Sequence, residues 1–296
     1  MNRIVVITGA SRGLGIVIAE DLAGDRGTLV LAARDEAGLR ATAARVEARG
    51  ARAVIVPCDV TRPEDRARLL AAAEAEGPVD VLVNNAGVEI AMAVLDQTEA
   101  DLEQQVRVNL LGPLHLTRAF LPAMVARGQG AIVMVSSMSG KSPTPYNAIY
   151  AATKHGINGF TSSLRIELQG TGVQVGVVCP SFVREAGMWS DAGVPAPAMF
   201  KEVTPQAVAR AVRKVVAGKA EVLVTPGPIR PMLALAQIFP SMDAPALRFL
   251  GVLDALKARA KVAVERRPRT STPDASADCG LSSRGSRGTE ASWRTR

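Results

Sequence analysis

The sequence predicts a doubly wound α/β domain, a mostly parallel sheet with helices on both faces, followed by a C-terminal extension. Three observations predict it. Short β-rich runs alternate with longer amphipathic ones, the rhythm of repeated strand–helix units. Runs such as IVVI, LVLA and VDVLV are apolar on both faces, as strands are when helices cover a parallel sheet from both sides. The chain has 296 residues, 48% hydrophobic and only 3% aromatic, so a large core is filled mainly with Ala, Val, Leu and Ile.

The predicted strands are 3–8, 28–33, 51–57, 79–84, 131–137, 174–180 and 221–225, with helices at about 13–24, 35–49, 63–76, 99–126, 147–169 and 205–217. Two segments break the rhythm. Residues 181–204 lack a strong period and carry Pro195 and Pro197, which makes them a long connection at the carboxyl edge of the sheet. Residues 228–256 are strongly apolar but interrupted by Pro231, Pro240 and Pro245, too broken for a membrane span. They are expected to pack as short helices near a pocket mouth, to form a partner surface, or to lie on a membrane. The resulting division is 1–227 as the main domain, 228–267 as an apolar then basic helical extension, and 268–296 as a tail. That tail is rich in Ser, Thr, Gly and Arg and is expected to lack a fixed fold.

The formal net charge of +7 first suggests nucleic acid, but its distribution argues otherwise. Residues 257–296 hold ten Lys and Arg against four Asp and Glu, and the remainder is nearly neutral, so no nucleic-acid partner is expected. Cys58, Cys179 and Cys279 have neither a disulfide nor a metal spacing, and His115 and His155 have no ligand spacing, so no metal site is expected. The start of the chain runs straight into a strand-like segment with no signal-peptide pattern, which predicts a cytoplasmic protein.

The first strand enters TGASRGLG, residues 8–15. Gly9 can turn sharply, Gly13 and Gly15 permit close approach, and the next helix turns free N–H groups toward a phosphate. Ser11, Arg12 and Leu14 lie in the same turn. The second strand ends in Ala32, Ala33 and Arg34, with Asp35 one step past the position where a carboxylate would meet a ribose. Arg12 and Arg34 together suit a 2′-phosphate and favour NADP(H) over NAD(H), unless both are ordinary surface residues. In CDV, Asp59 either accepts from an adenine amino group, with Val60 against the ring, or caps the helix that starts near Pro63. In NNAG, residues 84–87, Asn85 can tie neighbouring loops together while Ala86 and Gly87 leave room for a flat cofactor.

Tyr150 and Lys154 are four residues apart in a helix-compatible segment and share a face. A phenol is a poor base at neutral pH, and a nearby ammonium favours its ionised form and brings proton transfer within reach. Ser137 can steady a substrate oxygen from the end of the fifth strand. Asn109 can hold a backbone carbonyl and a water that leads protons toward Lys154. Tyr146, the other tyrosine, lies eight residues before the lysine and is expected to be only a neighbour.

Taken together, TGASRGLG, Asp59 in CDV, NNAG, Asn109, Ser137 and YAATK at 150–154 resemble the classical short-chain dehydrogenase/reductase family over about residues 3–227. The resemblance implies a Rossmann-type sheet of seven parallel strands and a homodimer or homotetramer. It implies Tyr150 as general acid/base, Ser137 positioning substrate, Lys154 holding the ribose and lowering the tyrosine pKa, and Asn109 supporting a proton relay. One departure stands out. After Pro180 the family usually has Gly and, a few residues on, a Thr that fixes the nicotinamide carboxamide. Here those positions hold Ser181 and Glu185.

The expected reaction is reversible hydride transfer between a carbonyl and a secondary alcohol on a small-molecule substrate. A lipophilic substrate is expected if Met188, Trp189, Met199, Phe200, Leu233, Leu235, Ile238 and Phe239 line the mouth, with Ser139 and Thr144 adding polarity. The competing reading is a cofactor-binding regulatory or scaffold protein of the same fold. Peripheral membrane contact through 228–267 is the remaining partner expectation.

Overall fold

The computed structural model describes residues 3–197 and 201–266, so the expectations for Met199, Phe200 and 268–296 lie outside the described residues. Seven strands form one sheet: β1 (Ile4–Thr8), β2 (Thr28–Ala33), β3 (Arg52–Pro57), β4 (Val79–Asn84), β5 (Gly130–Val135), β6 (Val173–Pro180) and β7 (Glu221–Val224). Their order is β3-β2-β1-β4-β5-β6-β7, with every neighbouring pair parallel. The helices are α1 (Leu14–Leu22), α2 (Glu36–Glu47), α3 (Pro63–Glu76), α4 (Glu99–Val106), α5 (Gly112–Arg127), α6 (Ala148–Glu167), α7 (Pro205–Val216), α8 (Arg230–Ile238), α9 (Asp243–Phe249) and α10 (Val252–Arg266). Residues through Glu265 make one compact unit.

Alternation along each strand splits the core into two layers. Val5 and Ile7 of β1 join Ile18 of α1, Leu39 of α2 and Val212 of α7. Ile4 and Val6 join Leu69 of α3, Phe120 of α5 and Ile157 of α6 on the opposite face. Each such fully buried side chain contributes roughly 2 kcal/mol of transfer free energy, which is why few aromatics suffice. β1 lies between β2 and β4, so the winding reverses there and opens a crevice at the carboxyl ends of these strands.

The helices begin where the local chemistry lets them. Pro63 opens α3 with Glu64 and Asp65 in its first turn. Thr98 and Asp101 form a reciprocal capping box on α4, and Thr204 accepts from the Ala207 N–H at the start of α7. The helix expected at 99–126 is one helical run, but it contains a π-turn, Arg107–Leu111, that carries Asn109.

Two expectations need correction. β5 stops at Val135, so Ser137 does not end the strand. It sits two residues beyond, in extended conformation, at the start of a short 3-10 turn. In the extension, α8–α10 do pack as short helices, but the apolar residues expected at the mouth divide. Leu233 is buried, while Leu235, Ile238 and Phe239 are 55%, 67% and 53% exposed, because α8 turns only one face inward. Trp189, Val252 and Leu256 form a separate small core with Tyr146, Phe182 and Leu247 packed against it. Among the described residues no helix is long and apolar enough to cross a membrane.

Candidate active site

The glycine turn is shaped by contact with NNAG. Gly9 has φ 67°, and a Cβ there would stand 2.9 Å from the Ala86 Cα, so both the conformation and the space demand glycine. Gly15 lies behind this turn: a Cβ would come within 2.0 Å of the Gly9 carbonyl oxygen. The Thr8 hydroxyl accepts from the Asn85 and Ala86 N–H groups, both at 3.1 Å. The Asn85 amide donates back to the Thr8 and Gly9 carbonyls at 3.0 and 3.2 Å. These bonds hold the ends of β1 and β4 together at the crevice.

A cavity of about 1590 Å³ occupies that crevice. On one side Ser11, Arg12, Gly13 and Leu14 line it, with Arg34 beyond. Gly13 caps α1 without a side chain, and the first turn holds no acidic residue, so its N–H groups face the cavity without a competing carboxylate. Arg12 and Arg34 are both exposed. Asp35 is used elsewhere: it caps α2 by accepting from the Gly38 N–H at 3.2 Å. Asp59 accepts from the Thr61 N–H and hydroxyl at 2.9 and 2.7 Å and does not cap α3, which Arg62 precedes. Asp59 and Val60 line the cavity, as do Asn85, Ala86, Gly87 and Pro180. This donor set, a carboxylate-free helix start with two flanking guanidiniums, fits a phosphate-bearing dinucleotide.

On the other side the cavity meets Ser137, Tyr150 and Lys154. Tyr150 and Lys154 emerge from the first turns of α6 and are 5% and 4% exposed. The Ser137 hydroxyl accepts from the Ser139 N–H at 3.1 Å and lines the same cavity as Tyr150. The Lys154 ammonium donates to the Val135 carbonyl at 3.0 Å and lies 5.4 Å from the centre of the Tyr150 ring. Asn109 is buried behind the wall. Its Oδ1 accepts from the Val88 N–H, and its Nδ2 donates to the Val88 carbonyl, both at 2.8 Å.

Burial dominates the protonation of this group. It raises the Tyr150 phenol above its ordinary value, and the Glu89 carboxylate adds to the rise. The Ser137 hydroxyl and the Arg259 charge pull the other way. The sequence reading expects Lys154 to lower the phenol's pKa; in the structure desolvation wins and the net movement is upward. Burial also lowers Lys154 to about 8.

The two departures after β6 resolve differently. Ser181 continues the strand pairing by donating its N–H to Val224 at 3.0 Å. Glu185 takes a left-handed backbone, φ 62°, and its side chain is 69% exposed beside Arg184. The loop is pinned by Arg184 and Val203 N–H groups donating to Val203 and Phe182 carbonyls.

Several residues at the cavity were not singled out from sequence. Glu89, two residues past NNAG, forms a buried two-pronged ion pair with Arg259 of α10, at 2.5 and 2.6 Å. Glu89 also accepts from Asn147, the residue that caps α6. Arg259 donates to the Met188 carbonyl at 2.7 Å and lies over the Trp189 ring. The proximity of Glu89 to NNAG is a signal sequence reading could have used; Arg259, in a basic helix, offered none. His115 and His155 are exposed on their helices. Among the described residues no cluster of three or more His, Cys, Asp or Glu could hold a metal.

Residues 3–193 match the family described as short chain dehydrogenase. The chain is a short-chain dehydrogenase/reductase. It is an oxidoreductase of the type that acts between CH–OH and C=O groups. The ketoacyl reductase HetN of Nostoc sp. is 40% identical over 267 residues, covering 88% of this chain and 93% of that one. A putative ketoacyl reductase of Streptomyces coelicolor is 40% identical over 185 residues, 62% of this chain and 71% of that one. Among solved structures, a metagenomic short-chain oxidoreductase in complex with NADP shares 34% identity with a TM-score of 0.65. The match covers 76% of this dehydrogenase/reductase and 97% of that chain. An actinorhodin polyketide ketoreductase variant with NADPH shares 32% identity at a TM-score of 0.69, covering 75% and 95%.

Proposed function

We propose that this dehydrogenase/reductase is an NADP(H)-preferring carbonyl reductase for a lipophilic ketone of the ketoacyl kind. The observation that carries the reading is the single cavity shared by the glycine turn and by Ser137, Tyr150 and Lys154, with an apolar wall beyond them. Arg12 and Arg34 at the nucleotide end support the 2′-phosphate, as do the solved relatives described with NADP and NADPH. Phe182, Trp189, Leu233, Leu247 and Leu256 form the apolar wall, and two relatives named as ketoacyl reductases support that substrate class.

In this mechanism a substrate carbonyl oxygen sits between the Ser137 and Tyr150 hydroxyls. Tyr150, kept protonated by burial, donates its proton as negative charge grows on that oxygen. Ser137 holds the oxygen in line. Lys154, with its ammonium anchored on Val135, positions the ribose and stands next to the phenol to restore its proton. When bound, the dihydronicotinamide supplies the hydride that reduces the carbonyl carbon. Asn109 braces the Val88 backbone beside Gly87 and keeps the floor of the cleft in place.

The test is a panel of ketoacyl esters and other lipophilic ketones with NADPH and NADH, comparing the wild type with Tyr150→Phe. Turnover is expected to fall by about 10²–10⁴-fold with the fold intact by circular dichroism. Turnover that survives the substitution removes Tyr150 from the mechanism. NADPH binding without turnover across the panel favours the regulatory alternative.

A further inference from the structure

The C-terminal extension reaches the reacting group through one buried chain of contacts. Arg259 lies on α10 and is 170 positions from Glu89, yet its guanidinium holds both Glu89 oxygens, and the side chains are 7% and 8% exposed. The same guanidinium donates to the Met188 carbonyl and stacks over Trp189, tying down the 182–197 connection. On its other side Glu89 accepts from the Asn147 side chain. Asn147 stands at the start of α6, where its carbonyl accepts from the Ala151 N–H at 2.9 Å. That bond closes the turn carrying Tyr150.

Such an arrangement has a reason beyond cohesion. A buried carboxylate near the phenol opposes ionisation of Tyr150 and costs heavily if unpaired, whereas a two-pronged guanidinium neutralises it without moving it. The groups that bear on Tyr150 come from every side of the site: Glu89 from the loop after β4, Ser137 from the loop after β5, Lys154 from α6, Cys179 from β6 and Arg259 from α10. Only Arg259 comes from outside the matched residues 3–193.

We propose that Arg259 is a positioning residue of the active site. Through Glu89 and Asn147 it locks α10 and the 182–197 connection onto the turn that carries Tyr150, and it offsets the Glu89 charge beside the phenol. The extension is therefore part of the reacting unit and not an appendage. This rests on the reading of Tyr150 as the acid–base group.

The charges make opposite predictions for the two partners, which a merely structural strut would not. In the pH profile of alcohol oxidation, Arg259→Met is expected to move the limb that reports Tyr150 to higher pH by about half a unit or more. Glu89→Gln is expected to move it to lower pH, and Arg259→Lys, which restores the charge, to bring the limb back toward the wild-type position. The Glu89→Gln/Arg259→Met pair leaves neither charge buried and serves if either single variant does not fold. Its limb is expected below that of the wild type, because the carboxylate bears on the phenol more than the guanidinium does. Limbs that do not move, or that move in the same direction for both single variants, overturn the proposal.

A second reading needs no turnover. Hydrogen exchange of the protein without substrate is expected to rise at least several-fold in α10 and around Met188 in Arg259→Met, and to stay unchanged in α1. Unchanged exchange in α10 overturns the lock by itself. If the wild type reduces no ketone, the proposed function fails and the exchange result alone decides the lock. If it does reduce ketones and the limbs do not separate, the lock fails and the function stands.

Discussion

The two walls of the cleft are built by different means. The nucleotide wall is backbone: Gly9 fits under Ala86, Gly15 fits under Gly9, and Thr8 and Asn85 exchange hydrogen bonds across β1 and β4. The substrate wall is side chain: Trp189, Leu247 and Leu256 meet from separate segments, and Arg259 crosses to Glu89. Backbone tolerances of tenths of an ångström leave short, fixed strings of Gly and Asn in a sequence. A wall made of interchangeable apolar side chains leaves only composition. Under the proposed function, the same difference lets one wall serve a common cofactor while the other adapts to a particular substrate.

That contrast can be broken at either wall. The largest effect is expected from Gly15→Ala, because its Cβ would lie 2.0 Å from the Gly9 carbonyl oxygen and the turn must shift. A loss of about 3 kcal/mol and of NADPH binding is expected, read by thermal unfolding and by NADPH fluorescence. Retained NADPH affinity would show that the turn adapts as freely as the side-chain wall. Next, Trp189→Ala should raise the ketone KM by about tenfold while leaving the NADPH KM within about twofold. Equal changes in both would show that the walls are one mechanical unit. Arg34→Asp should weaken NADPH by about tenfold or more relative to NADH, and an equal loss for both would move the 2′-phosphate elsewhere.

The smallest effect expected is a pH slope. Burial lowers Lys154 to about 8 from an ordinary 10.5, so above pH 8 the folded chain releases a proton that the unfolded chain keeps. Stability therefore rises with pH in that window, by about 1 kcal/mol per unit at most. Cys58 and Cys179, raised by burial from an ordinary 9.0 to about 11 and 12, act in the opposite direction from about pH 8 upward and close the window near pH 9. Urea unfolding of the cofactor-free protein at pH 8 and 9 should show the wild type gaining on Lys154→Met by about 1 kcal/mol, and a gap that does not widen would remove Lys154 as its source. A slope that persists in Lys154→Met belongs to another group.

Much of the fold was legible because periodicity is local. The seven strands lie within two residues of their expected limits, since runs such as LVLA can only be buried on both faces. Ser137 was misplaced relative to β5 because a strand end is decided by where its neighbour's pairing stops. The helix expected across 99–126 gave no sign of its π-turn, which carries Asn109 where its amide bonds the Val88 backbone. Glu185 stands in the position of a familiar threonine, yet its side chain lies out beside Arg184.

The α/β class, the glycine turn and the serine, tyrosine and lysine that face it can be read along the chain, because each follows from spacing within a few residues. Packing across the fold is what sets Tyr146 against the Trp189 cluster, moves the Tyr150 phenol upward through burial, and brings Arg259 to Glu89. Those outcomes depend on which distant segments exclude water together, and desolvation and ion pairing across 170 residues leave no period in the chain.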